Sequence, residues 1–213
     1  MIYFLSDFHG ERFDALEEYV KNYKDGDLLI VLGDIGLRFE NTEENRAFTE
    51  YFLSIEKPIA IVEGNHENHA YLNAFPEEIW HGGKINRLSE NIIRLCRGNI
   101  FEIDGKTFFV MGGCKSSAKW KELGLWFDGE NPDEAEVSLA YENLKKRGNR
   151  VDYILTHKYS PEMHSDNPLT LEGLVNFIEN NVSFSHWYAG HWHTERFYDD
   201  RHTIVYNRLY PLK

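Results

Sequence analysis

The stretch Ile59-Ala60-Ile61-Val62-Glu63-Gly64-Asn65-His66-Glu67 joins a short apolar run to a polar cluster. The run has the length of a buried strand. The glycine lets the chain leave a sheet sharply. Asn65 then offers a neutral amide oxygen, and His66 an imidazole able to donate a proton near neutral pH. The pattern recurs along the chain. Ile2 to Leu5 runs into Ser6-Asp7-Phe8-His9, and Leu28 to Leu32 into Gly33-Asp34. Val151 to Leu155 runs into Thr156-His157, and Phe184 to Ala189 into Gly190-His191-Trp192-His193. Each places Asp, Asn or His just past a strand's carboxyl end, the edge where α/β sheets bind ligands.

Between these runs the periodicity switches to helical. Glu11 to Asn22 carries Phe13, Leu16, Tyr19 and Val20 on one face, and Thr42 is placed to cap a helix presenting Phe48, Tyr51, Phe52 and Ile55. A short helix is expected after Asn65, up to Pro76. His81-Gly82-Gly83-Lys84 reads as the opening of a loop. Short strands follow at 92–95, 100–103 and 107–111, the last two joined by Asp104-Gly105, a hairpin signal. Residues 112–132 show no clear period, and a loop of that length is expected to be functional or mobile. Helices are expected over 133–147 and 169–180, with closing strands at 184–189, 195–200 and 203–206. The whole of 1–213 reads as one domain holding a mixed sheet or two packed sheets.

The chain has 23 basic and 35 acidic residues, a net charge of −12. Long nucleic acid is therefore an unfavourable partner outside a local basic patch. Cys96 and Cys114 lie in no zinc spacing and read as buried free thiols. The apolar runs are too short to cross a bilayer, and no signal peptide is recognisable, so a soluble cytoplasmic protein without membrane partners is expected. No Gly-x-Ser-x-Gly elbow is present for a serine nucleophile.

The strand exits collect Asp7, His9, Asp34, Asn65, His157, His191 and His193, with His66 beside them. Mixed oxygen and nitrogen donors suit Mn, Fe, Zn, Co or Ni better than Ca or Mg. They are too many for one ion and suited to two that share a carboxylate. Two metals ~4 Å apart can clamp the attacking and leaving oxygens of a displacement at phosphorus.

In order, Asp-x-His, Gly-Asp, Gly-Asn-His-Glu, Thr-His and Gly-His-x-His resemble the motifs of the calcineurin-like metallophosphoesterases, from Asp7 to His193. Arg97-Gly98, Gly112-Gly113 and Trp126-Phe127 also resemble the small bacterial or phage members described as serine/threonine-phosphatase-like. The resemblance implies a four-layer α/β/β/α sandwich of two mixed sheets flanked by helices. It implies that Asp7, His9 and His193 hold one divalent metal and Asn65, His157 and His191 a second. Asp34 would bridge the two, together with a hydroxide acting as nucleophile. His66 would protonate the leaving oxygen. Manganese is the expected metal.

In the protein-phosphatase branch the second motif continues to an Asp and an Arg. Here it reads Gly33-Asp34-Ile35-Gly36-Leu37-Arg38, so the Arg is kept and the Asp that orients the catalytic His is Leu37. Arg38 is expected to grip a phosphoryl oxygen. His81-Gly82-Gly83 comes too early, with no apolar strand before it, and His81 is not counted as a ligand. The expected activity is that of a phosphomonoesterase acting on a phosphoprotein or a small phosphate ester. The alternatives are a phosphodiesterase acting on a cyclic or dinucleotide substrate, or a catalytically silent binding module. The presence of every ligand and of His66 speaks against the silent module. Ser116, Ser117, Trp120, Trp126 and Phe127 read as loop packing, and 113–132 as a lid or rim over the metals.

Overall fold

A computed structural model describes residues 1–213. The first sheet is built by β1 (Ile2–Leu5), β2 (Leu28–Leu32), β3 (Ile59–Val62), β4 (Glu77–Trp80), β5 (Gly83–Arg87) and β6 (Ile92–Leu95). The second is built by β7 (Ile100–Ile103), β8 (Lys106–Met111), β9 (Tyr153–Thr156), β10 (His186–Ala189), β11 (Arg196–Phe197) and β12 (His202–Ile204). A last strand, β13 (Tyr210–Pro211), returns to pair antiparallel with β1. The strand orders are β13-β1-β2-β3-β6-β5-β4 and β11-β12-β10-β9-β8-β7. Within them β1, β2, β3 and β6 run parallel, as do β8, β9, β10 and β12, while the remaining pairs are antiparallel.

Alternation along each strand separates three cores. Phe4, Ile30, Leu32, Ala60 and Val62 of the first sheet face Phe101, Phe108, Val110, Leu155 and Tyr188 of the second. Leu29, Val31 and Ile61 turn the other way, against α1 (Asp14–Asn22) and α2 (Glu43–Leu53). Phe109, Met111, Ile154 and Trp187 face α5 (Glu134–Lys146) and α6 (Leu171–Asn181). Sheets buried on both faces require these near-continuous apolar strands. The result is the α/β/β/α sandwich of two mixed sheets expected from the resemblance.

Helix starts follow side-chain chemistry. Thr42 accepts from the Asn45 N–H, Thr170 from the Gly173 N–H, and Asp133 with Glu136 forms a reciprocal capping box. Asp104 and Gly105 both take positive φ, 51° and 72°, as a tight hairpin turn demands. Two expectations change. His81 and Gly82 form the turn of a β4–β5 hairpin rather than the opening of a loop. Residues 77–80 escape notice as a strand because Glu77-Glu78-Ile79-Trp80 is an edge with Ile79 turned to solvent, which offers no apolar run. Residues 112–132 hold α4 (Ala118–Glu122), and residues 69–73 form α3 (His69–Asn73). No helix is long and apolar enough to cross a membrane.

Candidate metal centre

The carboxyl ends of β1, β2, β3, β9 and β10 meet at one edge of the sandwich and are stitched together by backbone hydrogen bonds. The Asp7 N–H donates to Gly33 O at 2.9 Å, the His9 N–H to Asp34 O at 2.8 Å, and the Gly190 N–H to His157 O at 2.8 Å. The chain must turn sharply at these exits. Asp7, His9, Asp34, His191 and His193 all take positive φ, between 48° and 74°. Left-handed backbone at non-glycine residues is costly, and it gathers at sites where geometry matters more than local comfort. The motif glycines keep the space between exits. A Cβ on Gly64 would strike the Asp34 carboxylate, and one on Gly190 would strike Ser6 Oγ.

Two donor groups result. In the first, Asp7, His9, Asp34 and His193 bring one ligand atom each to within 4.8 Å of one another. His9 Nε2 and His193 Nε2 face each other at 2.9 Å, and His193 Nε2 lies 3.6 Å from Asp7 Oδ1. In the second, His157 Nε2 lies 3.1 Å from Asn65 Oδ1 and 3.2 Å from His191 Nδ1. Asp34 reaches both: Oδ2 is 3.6 Å from His9 Nε2, and Oδ1 is 3.4 Å from His157 Nε2. The structure thus brings together Asp7, His9, Asp34, Asn65, His157, His191 and His193.

The arrangement fits resident metal ions. His157 is fully buried, and its Nδ1–H donates to Leu32 O at 2.7 Å, because a carbonyl can only accept. Its Nε2 lone pair is thereby turned into the cluster, the second-shell orientation that metal-ligating histidines show. The buried carboxylates Asp7 and Asp34 share the cluster without a Lys or Arg ion pair, and burial pushes Asp7 up to about 6. Burial holds His9 down at about 4 and His191 at about 3, so both imidazoles are neutral and free to ligate at neutral pH. For His157, burial is outweighed by the Asp34 carboxylate, which carries it up to about 9. Cations seated here would relieve the carboxylates and compete with that proton.

The family of calcineurin-like phosphoesterases matches residues 1–195. This chain belongs to it. A comparison with curated proteins finds no match. As a calcineurin-like phosphoesterase the chain is a metal-dependent phosphoric ester hydrolase.

Beside the donor groups the phosphoesterase has an open cleft of about 540 Å³, lined by Phe8, Phe13, Phe39, Trp120 and Tyr206, by Glu11 and Glu40, and by Asp7, His9, Asp34, His66, His191 and His193. His66 is anchored by its backbone: its N–H donates to Asp34 Oδ1 at 2.7 Å. Its ring stands edge-on to Trp120 at 4.5 Å and to Phe39 at 5.0 Å between centroids. Those aromatic walls border the ring, and Leu37, at the motif position where an Asp is expected in the protein-phosphatase branch, is buried in the helix-side core. Burial lowers the His66 pKa, with the Asp34 carboxylate opposing it.

Arg38 departs from expectation. The structure places it outside the cleft, in a neighbouring depression with Asn41, Arg46 and Tyr71. Its Nη2 lies 3.7 Å from Glu50 Oε1. Its backbone is held by Thr49 Oγ1, which accepts from the Arg38 N–H, and by Asn68, which donates to its carbonyl. Four residues of separation from Asp34 indicated reach but not direction, and a positive φ of 54° turns the side chain toward α2.

Three contributors escaped the sequence reading. Glu67, fully buried, accepts from the backbone N–H groups of Ile35, Gly36 and Leu37 and so fixes the loop that carries Asp34. Burial and then the Asp34 charge push it up to about 8. Trp120 closes one side of the cleft. Cys114 sits against the second donor group. Glu67 had a signal, an acidic residue inside an otherwise assigned motif, while the other two lie on the aperiodic segment. That segment lies on the metal side: Ser116 Oγ accepts from Asn65 Nδ2 at 2.9 Å. His81 belongs to neither donor group, and its Nδ1 bonds Glu102 O at 2.7 Å.

Proposed function

We propose that the chain hydrolyses phosphate esters with two divalent ions. The observation behind this reading is Asp34, whose two oxygens face different donor groups while the same carboxylate accepts from the backbone of His66. Asp7, His9 and His193 with Asp34 would hold one ion, and Asn65, His157 and His191 with Asp34 the other, manganese being the first choice on donor chemistry. The ions supply Lewis acidity and a water nucleophilic at neutral pH. The protein's own part is positional. Phe13 and Tyr206, which meet edge-on at 5.8 Å, and Trp120 with Phe39 wall the cleft. His66 is placed to give a proton to the departing oxygen, and an anionic phosphate beside it favours the charged imidazole.

For substrate class, the cleft lining favours a phosphodiester with an aromatic or nucleoside-like substituent. Its lining includes no Lys or Arg, and Glu11 and Glu40 stand at it. A monoester dianion would leave its extra charge without a cationic partner there, whereas an aromatic substituent can pack on the walls. The phosphomonoesterase reading keeps one support. The depression with Arg38 and Arg46 adjoins the cleft across Phe39 and Glu40, within range of an extended phosphopeptide. Steady-state rates on bis-p-nitrophenyl phosphate and p-nitrophenyl phosphate, with Mn²⁺ after chelation, decide between them. A higher kcat/KM on the diester is expected. Faster monoester hydrolysis would restore the phosphatase reading, and no hydrolysis of either with ions bound would leave the silent binding module.

A further inference from the structure

Resting on the two-metal reading above, we propose that Cys114 is a further, sulfur ligand of the second ion, beside Asn65, His157, His191 and the shared Asp34, which makes that site distinct in chemistry from its oxygen-rich neighbour. The inference starts from placement. Gly112-Gly113 ends β8, and the Gly113 N–H donates to Glu63 O at 2.7 Å. That bond ties the exit of β8 to the exit of β3, two residues before Asn65. The tie is tight: a Cβ on Gly112 or Gly113 would run into the Glu63 or Glu130 carbonyl. Cys114 is therefore delivered to the metal edge by backbone, and it is 1% exposed.

Its sulfur then converges with the histidines. Cys114 Sγ, a nitrogen of His157 and a nitrogen of His191 lie within 4.8 Å of one another. Sγ is 3.7 Å from His191 Nδ1 and 3.0 Å from Asn65 Oδ1, and His191 Nδ1 is 3.2 Å from His157 Nε2. On one tetrahedral zinc, two imidazole nitrogens stand ~3.3 Å apart, and a thiolate sulfur and an imidazole nitrogen ~3.6 Å apart. The His191–His157 and Cys114–His191 spacings fall at those values, and the 3.0 Å from Sγ to Asn65 Oδ1 is that of the thiol donating to the amide oxygen. His157 supplies further support, since its Nδ1 is committed to Leu32 O, while its Nε2 and the sulfur both lie within hydrogen-bonding distance of Asn65 Oδ1.

Ligation breaks the S–H bond and forms a sulfur–metal bond, and the proton leaves to solvent. A thiolate makes this position soft, whereas the Asp7, His9, Asp34 and His193 position stays hard. Zinc or cobalt is then favoured at the second position, and manganese at the first.

Cobalt-loaded protein gives the test, because a thiolate on Co²⁺ produces a sulfur-to-metal charge-transfer band in the near ultraviolet. Wild-type protein carrying two Co²⁺ should show the band, and Cys114→Ala and Cys114→Ser should lack it while keeping far-ultraviolet dichroism. In competition with a chromophoric chelator, the dissociation constant of one of the two Zn²⁺ ions should rise tenfold or more in both variants, and the other should hold. Two bound Co²⁺ without the band would overturn the proposal and leave the phosphoesterase reading intact. So would a band that survives in both variants, which would place it on Cys96. Failure to bind any ion would overturn both readings. Absence of the band from wild-type protein is decisive even if neither Cys114 variant folds, and a Cys96→Ala protein that keeps the band would then assign it to Cys114.

Discussion

His66 shows how a single residue is positioned in this cleft. Its backbone is tied to Asp34 and its ring stands between aromatic edges, so truncation should remove proton donation without unseating the ions. His66→Ala is expected to lower kcat by roughly 10²–10⁴ on substrates with poor leaving groups. The loss should be smaller on p-nitrophenyl esters, whose leaving group needs little protonation, and metal content should be unchanged by elemental analysis. Loss of one ion per chain would make His66 a ligand instead. Arg38 is the contrasting case. A lost charged hydrogen bond to substrate costs about 1.5–3 kcal/mol, roughly tenfold or more in rate. Because its guanidinium faces Glu50 outside the cleft, Arg38→Ala is expected to change kcat/KM by well under tenfold on both monoester and diester. A tenfold loss confined to the monoester would show that the side chain swings into the site.

At the scale of elements, the loop after β2, which carries Asp34, is held by side chains from elsewhere in the chain. Glu67 gathers the N–H groups of residues 35–37, and Asn45 on α2 donates to Gly36 O at 2.7 Å. Glu67→Gln keeps the volume but turns an NH₂ toward backbone donors. It is expected to destabilise the protein by about 1–3 kcal/mol, the scale of an unsatisfied buried donor. It should also weaken metal binding through Asp34, as read by thermal melting and metal titration; unchanged values in both would remove Glu67 from the site's support. A second junction lies at β12. His202 Nε2 is 2.9 Å from Glu179 of α6, its Nδ1 is 2.8 Å from Asp199, and its ring stacks on Tyr159. Burial opposes the charge, but Glu179 and then Asp199 outweigh it, so the folded-state pKa is raised above the ordinary value of 6.5. The stabilisation is therefore complete below that value and fades as pH rises through the folded-state pKa. The Tm deficit of His202→Gln should be larger at about pH 6 than at about pH 9. A deficit that grows with pH would reverse the assignment.

For the whole molecule, the metal edge ties the two sheets together. Asp7, Asp34 and Asn65 leave the first sheet, and Cys114, His157 and His191 the second, so ions bound between them act as a clasp across the sandwich. Ligands that bind only the folded chain stabilise it by mass action, about 2.7 kcal/mol at a hundredfold excess over the dissociation constant. For a chain of this size that is a Tm rise of roughly 5–10 °C. Chelation should lower Tm by that order and abolish hydrolysis, and Mn²⁺ should restore both in a concentration-dependent way. An unchanged Tm after complete metal removal would rule out the clasp.

The sequence by itself determined the strand exits and the order of the candidate donors along the chain. Both are local: an apolar run of strand length, then glycine, then a donor, can be read without knowing what lies opposite. The hairpin at Asp104-Gly105 and the cap at Thr42 were legible for the same reason, since each is satisfied within a few residues. Other features depend on distant partners. The direction of Arg38 is set by Glu50 and a positive φ, the support of Asp34 by the Glu67 carboxylate accepting from N–H groups 30 to 32 positions away, and the strand at 77–80 by an edge whose only hydrogen-bonded neighbour is β5. Cys114 belongs with them. In the linear chain it is an isolated thiol with no ligand spacing. Only the pairing of β8 with β9, and of β9 with β10, brings its sulfur to His157 and His191, and only the packing of the β8 exit against the β3 exit brings it to Asn65, because pairing between distant strands and contact between sheets leave no local pattern in the sequence.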